Sequence, residues 1–271
     1  MPHQGLLALT LHAHLPFIRH PEEPDCLEER WLFEAITEAY LPLLERLQRL
    51  DRDRVPVRLT VSFSPTLLAM LADGVLQDRY VSHLEQLIEL SAKEIERTRW
   101  LPPFHRLALF YHHRFTSVRR FYVEGLQRDL IQAFRELIDR GLLEPLGACA
   151  THGYLPLMPS DASVRAQIHV GMQACEQAFG RRPAGFWLPA CGYQPGHEVL
   201  LKACGVRYVL TDAQAILLGS PRPKYGVDAP IVCPSGVAAF GRDMDSSTQL
   251  EPSITFPAFG TFSPGLTIKW F

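Results

Sequence analysis

Ala184-Gly185-Phe186-Trp187-Leu188-Pro189-Ala190-Cys191-Gly192-Tyr193 reads as a short buried strand, 185–188, that stops at a proline and opens into a loop. The strand carries no charge, as expected where both faces of a parallel sheet are covered. Pro189 has no N–H to offer a ladder and ends it. A short helix pattern follows from His197 to Cys204, with Gly205 placed to cap its C-terminus. The order is strand, loop, helix. Residues just past the C-terminal end of such a strand are where α/β barrels place their chemistry.

The same unit recurs on both sides. Downstream, Val206 to Leu210 predicts a strand ending at Thr211-Asp212, and Ile231-Val232-Cys233 with Val237 to Phe240 predicts a hairpin or strand pair leading to Gly241-Arg242-Asp243. Upstream, Leu143 to Cys149 predicts a strand that runs into Ala150-Thr151-His152-Gly153-Tyr154. A helix over Val164 to Phe179 follows it, closed by Gly180 and Pro183. The first strand, Gly5 to Leu11, ends in His12-Ala13-His14-Leu15-Pro16, and strand alternation puts both histidines on one side. Trp31 to Leu50 has the helical period, with a kink expected at Pro42. Val57 to Phe63 is β-branched, and Ser64-Pro65 starts a helix that Gly74 is expected to stop. Helical patterns over Val81 to Arg99, 101–124 and Leu126 to Arg140 lie between the second and third strands. The alternation gives an α/β chain with a mostly parallel sheet, and residues 75–142 read as a helical insertion.

With 271 residues, 47% hydrophobic and a formal charge of −2, the chain can bury one large core. Near-neutrality gives no reason to expect nucleic acid or an anionic membrane surface. The aromatic and basic run around Phe104 to Phe115 is expected to turn its aromatics inward and its arginines outward. No apolar run reaches the roughly 20 residues of a membrane span, and the first residues do not resemble a secretory signal. Six scattered cysteines without a Cys-x-x-Cys pair favour reduced thiols and a cytoplasmic protein.

Collinear segments resemble glycoside hydrolase family 57. They are Leu11-His12-Ala13-His14-Leu15-Pro16-Phe17; Glu34-Ala35 with Tyr40-Leu41-Pro42-Leu43; Ala150-Thr151-His152-Gly153-Tyr154; Phe186-Trp187-Leu188-Pro189; Tyr208 with Asp212-Ala213; and Phe240-Gly241-Arg242-Asp243. The second is similar to the α-glucan branching enzymes of that family. The resemblance implies an incomplete (β/α)7-type barrel over residues 1–249, acting without metal or cofactor on α-1,4-glucan by retaining transfer of a cut chain. By motif position His12, His14, His152, Tyr154, Asp212 and Arg242 would bind substrate, and Trp187 would wall the pocket.

Two departures bear on activity. The resemblance implies a glutamate nucleophile at the position held by Ala190, and a methyl group cannot form the glycosyl ester that a retaining double displacement needs. Cys191 is set aside as a substitute because neighbours in extended chain point to opposite sides. Glu198 is expected to serve the helix N-terminus. The acid/base aspartate that the resemblance implies belongs to a later segment, and nothing after residue 249 resembles it. Residues 250–271, with three prolines, five Phe or Trp and two charges, are expected to form no regular element, the change of character a shifted reading frame would give. The sequence therefore predicts a branching-enzyme-like barrel without turnover. Its rivals are a non-catalytic glucan-binding protein and a metal-dependent polysaccharide deacetylase, with His12, His14, His152 and Asp212 as zinc ligands.

Overall fold

The computed structural model describes residues 7–20, 22, 26–247 and a last strand at Thr267–Trp270. The chain divides into two compact units, one of 1–16, 56–68 and 137–271, the other of 17–55 and 69–136.

The first unit is built on a sheet whose strands are β1 Leu7–Ala13, β2 Leu59–Phe63, β3 Leu143–Ala148, β4 Gly185–Trp187, β5 Tyr208–Thr211, β6 Ile231–Val232, β7 Ala238–Gly241 and β8 Thr267–Trp270. Their spatial order is β6-β7-β5-β4-β3-β2-β1-β8. From β1 to β5 and on to β7 every neighbouring pair is parallel, and each strand lies beside its predecessor in sequence apart from the small β6. With crossovers of the usual right hand, an order that never reverses puts its helices on one side and curls the sheet toward a barrel. A doubly wound sheet would reverse direction. Both ends of the described sheet carry antiparallel strands, β6 on β7 and β8 on β1, so the described strands form an incomplete barrel.

The register sorts the side chains. His12, Ser62, Leu146, Gly185, Tyr208 and Ala238 form one cross-strand row, and Ala148, Trp187, Leu210 and Phe240 the next. Leu146, Ala148, Trp187 and Leu210 pack together with Tyr208 and Phe240 on the concave face. The alternate residues Phe186, Val209 and Ala239 pack on the other face against α7 (Asp161–Phe179) and α8 (His197–Ala203), through Ile168, Met172 and Leu201. Gly171 of α7 is held where a Cβ would stand 1.7 Å from the Ala148 carbonyl oxygen, so this helix rests directly on the β3 backbone. Gly180 closes α7 in the left-handed conformation, φ 67°.

The second unit is helical. Its chain runs through α1 (Leu27–Ala35), a π-turn at Ile36–Tyr40 and α2 (Leu41–Arg52) without a break. The kink expected at Pro42 is taken up as that π-turn. Proline cannot donate and its ring crowds the carbonyl four residues back; widening the turn, with Leu41 N–H donating to Ile36 O, accommodates both. After α3 (Pro65–Leu71) come α4 (Gly74–Arg97), α5 (Pro102–Arg120) and α6 (Leu130–Asp139). Gly74 opens a helix where the sequence reading had it close one. Asp73 is the stronger signal, its carboxylate accepting from the N–H groups of Val75 and Leu76. Inside this unit Tyr80 and Tyr122 are fully buried edge to face, and Tyr80 pairs with the Thr37 hydroxyl at 2.9 Å.

Two further expectations are corrected. The aromatics of α5 do not turn inward: Phe104, Phe110 and Tyr111 are exposed, and Ala108 is the one fully buried residue of that helix. And residues 250–271 are not wholly irregular, because Thr267–Trp270 pairs antiparallel with Leu7 to Thr10. The two-residue alternation Thr-Ile-Lys-Trp suits an edge strand but is too short to stand out in sequence; residues 248–266 lie outside the described part. Among the described residues no helix is long and apolar enough to cross a membrane.

Candidate active site

The sheet brings residues far apart in sequence to one place at its C-terminal edge. His12 lies one residue from the end of β1, His14 just beyond it, Trp187 ends β4, and His152 sits in the loop after β3 with a left-handed φ of 56°. Their rings form a continuous stack. Trp187 and His12 are 4.4 Å apart between centroids and 8° from parallel, His12 and His152 4.9 Å and 24°, His152 and His14 3.8 Å and 16°. Same-face alternation put both β1 histidines here, and Ser62, the ladder neighbour of His12, meets its Nδ1 through Oγ at 3.2 Å.

Electrically the cluster is neutral at pH 7. Burial, then the neighbouring His152 and His14, hold His12 well below the ordinary histidine range. Burial lowers His14 to about 4, and burial followed by His14 lowers His152 to about 4. His12 Nε2, His14 Nδ1 and His152 Nδ1 are buried with no hydrogen-bond partner. A buried polar atom left unpaired costs about 1–3 kcal/mol, so three of them around an indole face describe a site built to meet something polar. Neutral imidazole nitrogens can each donate or accept, which suits hydroxyl groups better than a fixed charge.

The geometry does not suit a metal. A ligating lone pair lies in the ring plane, and near-parallel rings stacked at 3.8–4.9 Å cannot aim theirs at one ion. Among the described residues the one group of three possible donors close enough to share an ion is His20, Cys26 and Glu28, not the histidines and Asp212. The zinc set of the deacetylase reading is therefore not assembled.

Beside the stack, β4 gives way to a tight turn at Pro189–Cys191. Ala190 (φ 49°, ψ 29°) and Cys191 (φ 54°) are consecutive left-handed residues, each a strain of about 1–3 kcal/mol for a side chain with a Cβ. Backbone contacts hold the turn: Cys191 N–H donates to Leu188 O at 2.9 Å and the Thr211 hydroxyl to Cys191 O at 3.2 Å. Tyr154 lies against the next residue, since a Cβ at Gly192 would stand 2.2 Å from its ring. Ala190 itself is exposed.

The model of glycosyl hydrolase family 57 matches residues 8–256. The chain belongs to that family. A 1,4-α-glucan branching enzyme of Thermococcus kodakarensis is 31% identical over 82% of this chain and 34% of its own length. The crystal structure of an α-amylase from Thermotoga maritima matches with a TM-score of 0.84 and 41% identity, over 89% of this chain and 46% of that one. That of a family 57 branching enzyme from Pyrococcus horikoshii gives 0.82 and 31%, over 89% and 47%. The chain thus spans about a third to a half of the length of these relatives.

Within this family 57 chain the remaining sequence-derived residues gather around the same turn. Asp212 follows β5 and stands beside the Cys191 thiol, which burial and then Asp212 push up to about 12 against the opposing pull of Arg242. Arg242 donates its backbone N–H to Thr211 O at 2.9 Å and Nε–H to the buried Ser247 hydroxyl at 3.2 Å. Cys191 is no substitute nucleophile, but not for the reason read from the sequence. The chain here is turned, not extended; what disqualifies the thiol is that it stays protonated. Glu198 is engaged elsewhere, its Oε2 accepting from Tyr193 OH at 2.7 Å and Gly196 N–H at 2.8 Å. Burial would raise its pKa, but those bonds outweigh it and the net shift is downward. Ser62 escapes a sequence reading, and Thr211 reads only as a strand end, without its contact to the turn at Cys191. The one signal for Ser62 is ladder register, its place opposite His12, which only the paired sheet reveals.

Proposed function

We propose that this chain binds α-1,4-glucan at the His12–His14–His152–Trp187 stack and does not by itself turn it over. What carries the reading is the juxtaposition of a sugar-binding surface with an alanine at the nucleophile position. Trp187, faced by the His12 ring, seats the stack, and the three unpaired buried nitrogens of the imidazoles offer hydrogen bonds to sugar hydroxyls. The relatives support the substrate class: one is named for 1,4-α-glucan and another is an α-amylase. Branching and amylolysis differ in the acceptor of the cut chain, so the likeness favours a glucan without deciding between transfer and hydrolysis.

Retaining chemistry needs two carboxyl groups about 5–5.5 Å apart, one forming a glycosyl ester and one passing the proton. Ala190 cannot form the ester, the Cys191 thiol is held protonated, and Glu198 is tied to the α8 N-terminus. Isothermal titration with maltoheptaose tests binding, alongside iodine staining and reducing-end assays on amylose for turnover. Heat of binding that disappears in His12→Ala, with no new chain ends or branches, supports the reading. Branch formation by this chain would overturn the role given to Ala190, and absence of binding would overturn the role given to the stack.

A further inference from the structure

The helical unit ends in a hairpin, α4 and α5, whose two helices are treated very differently by the fold. α4 buries Leu76, Tyr80, Val81, Leu84 and Ser91. α5 has 19 residues and buries one, Ala108. Yet α5 is not a polar helix. Phe104, Leu107 and Tyr111 recur at helical spacing along one stripe and are 60%, 54% and 46% exposed; Leu90 of α4 faces solvent nearby, and Trp100 and Leu101 at the hairpin tip are 82% and 48% exposed. Between the helices runs a groove of about 250 Å³, lined by Leu87, Leu90, Phe104, Leu107, Tyr111 and Phe115. That is room for one or two large side chains of an opposing helix.

We infer that this hairpin is an interface between two copies of the chain, the α4–α5 pair of one packing on that of the other. Three observations favour this occupant. The first is area. Leu90, Trp100, Leu101, Phe104, Leu107 and Tyr111 together leave roughly 800 Å² in water, about what one partner contributes to a standard stable interface. The second is charge. Several rim charges are paired within the hairpin, Glu94 with Arg97 and Glu89 with Lys93 at 2.6 Å, and Glu85 with Arg119 at 2.7 Å. These pairs, with Arg114 held by Glu38 at 2.6 Å, lower the repulsion between two copies of a helix that carries Arg106, Arg114, Arg119 and Arg120 and no carboxylate. The third is shape. An isologous contact needs a patch that fits itself, and a helical hairpin carrying both the apolar ridge (Phe104, Leu107, Tyr111) and the groove beside it supplies knob and hole together.

The test is sedimentation velocity on the whole chain between about 1 and 100 µM, with hydrogen exchange of the α5 amides over the same range. A concentration-dependent monomer–dimer equilibrium is expected, with α5 protected at the high end. The double change Phe104→Glu and Leu107→Glu alters exposed positions. It is expected to weaken dimerisation by at least about 100-fold while far-UV circular dichroism and the melting transition stay in place. A monomer throughout, a polydisperse series beyond the dimer, or a dimer insensitive to both changes overturns the assignment. Should the double variant fail to fold, the wild-type exchange decides: α5 amides equally exposed at both ends of the range overturn it.

Discussion

Acidification should strike this protein at one identifiable place. His14 and His152 are held at about 4 in the fold, chiefly by burial, whereas an unfolded histidine titrates near 6.5. A group whose folded pKa is depressed binds fewer protons in the native state, so its stability is complete above about 6.5 and drains away as pH falls toward the folded value. At pH 5 an unfolded histidine is almost fully protonated and a folded one at about 4 mostly is not, a difference of about 2 kcal/mol per ring for a fully buried group. Both rings keep part of their surface in water, so screening reduces this to about 1–1.5 kcal/mol each. The pair should therefore cost about 2–3 kcal/mol between pH 7.5 and 5, and His12, shifted in the same direction, adds to it. Urea unfolding at the two pH values, in the wild type and in a His12→Gln, His14→Gln, His152→Gln variant, isolates the term from other titrating groups. The wild type should lose that much more stability than the variant. Equal losses in both would refute the claim that these imidazoles are buried and neutral, and with it the argument for hydroxyl recognition by unpaired nitrogens.

Further outcomes rest on named contacts. Trp187→Ala should weaken maltoheptaose binding by at least about tenfold in titration calorimetry, since the His12 ring loses the indole that seats it, and should cost about 3 kcal/mol or more of stability in urea. Gly171→Ala should destabilise by about 3 kcal/mol or more in the same measurement, because its methyl would overlap the Ala148 carbonyl oxygen. Ala190→Glu in this chain should give no detectable branching or amylolysis on amylose, because the proton transfer that accompanies nucleophilic attack is itself worth about 10²–10⁴-fold; measurable turnover would show that a partner carboxyl is already in place.

The parallel sheet and the strand-end histidines were legible because both rest on local patterns. Apolar runs closed by proline or glycine marked β1, β3 and β4, and alternation alone placed His12 and His14 on one face. What sequence missed depends on register or on contact with a distant segment. Ser62 becomes a site residue only because β2 pairs with β1 so that it stands opposite His12. The α5 aromatics looked like core because aromatics on a periodic helix usually are; their exposure depends on which face α4 covers, which no local pattern states. Pro42 was read correctly as a disturbance, but whether a proline kinks a helix or widens a turn is settled by the packing around it, here by the π-turn at Ile36–Tyr40.

The turn at Ala190 holds its shape without help from the side chain at 190. A strained backbone is held only where its surroundings over-determine it. Here the surroundings are backbone and neighbour contacts: Leu188 O on Cys191 N–H, the Thr211 hydroxyl on Cys191 O, and the Tyr154 ring against Gly192. None of them involves the side chain at 190. The two left-handed residues therefore persist with only a methyl at 190. The walls of the site are anchored just as independently, His12 by Ser62 and the ladder, Trp187 by the concave cluster of Leu146, Ala148 and Leu210. On the proposed reading, the side chain at 190 decides whether a glycosyl ester can form, and changing it loosens none of these contacts. On the proposed glucan-binding reading, that independence lets alanine stand at 190 beside an intact histidine–tryptophan stack.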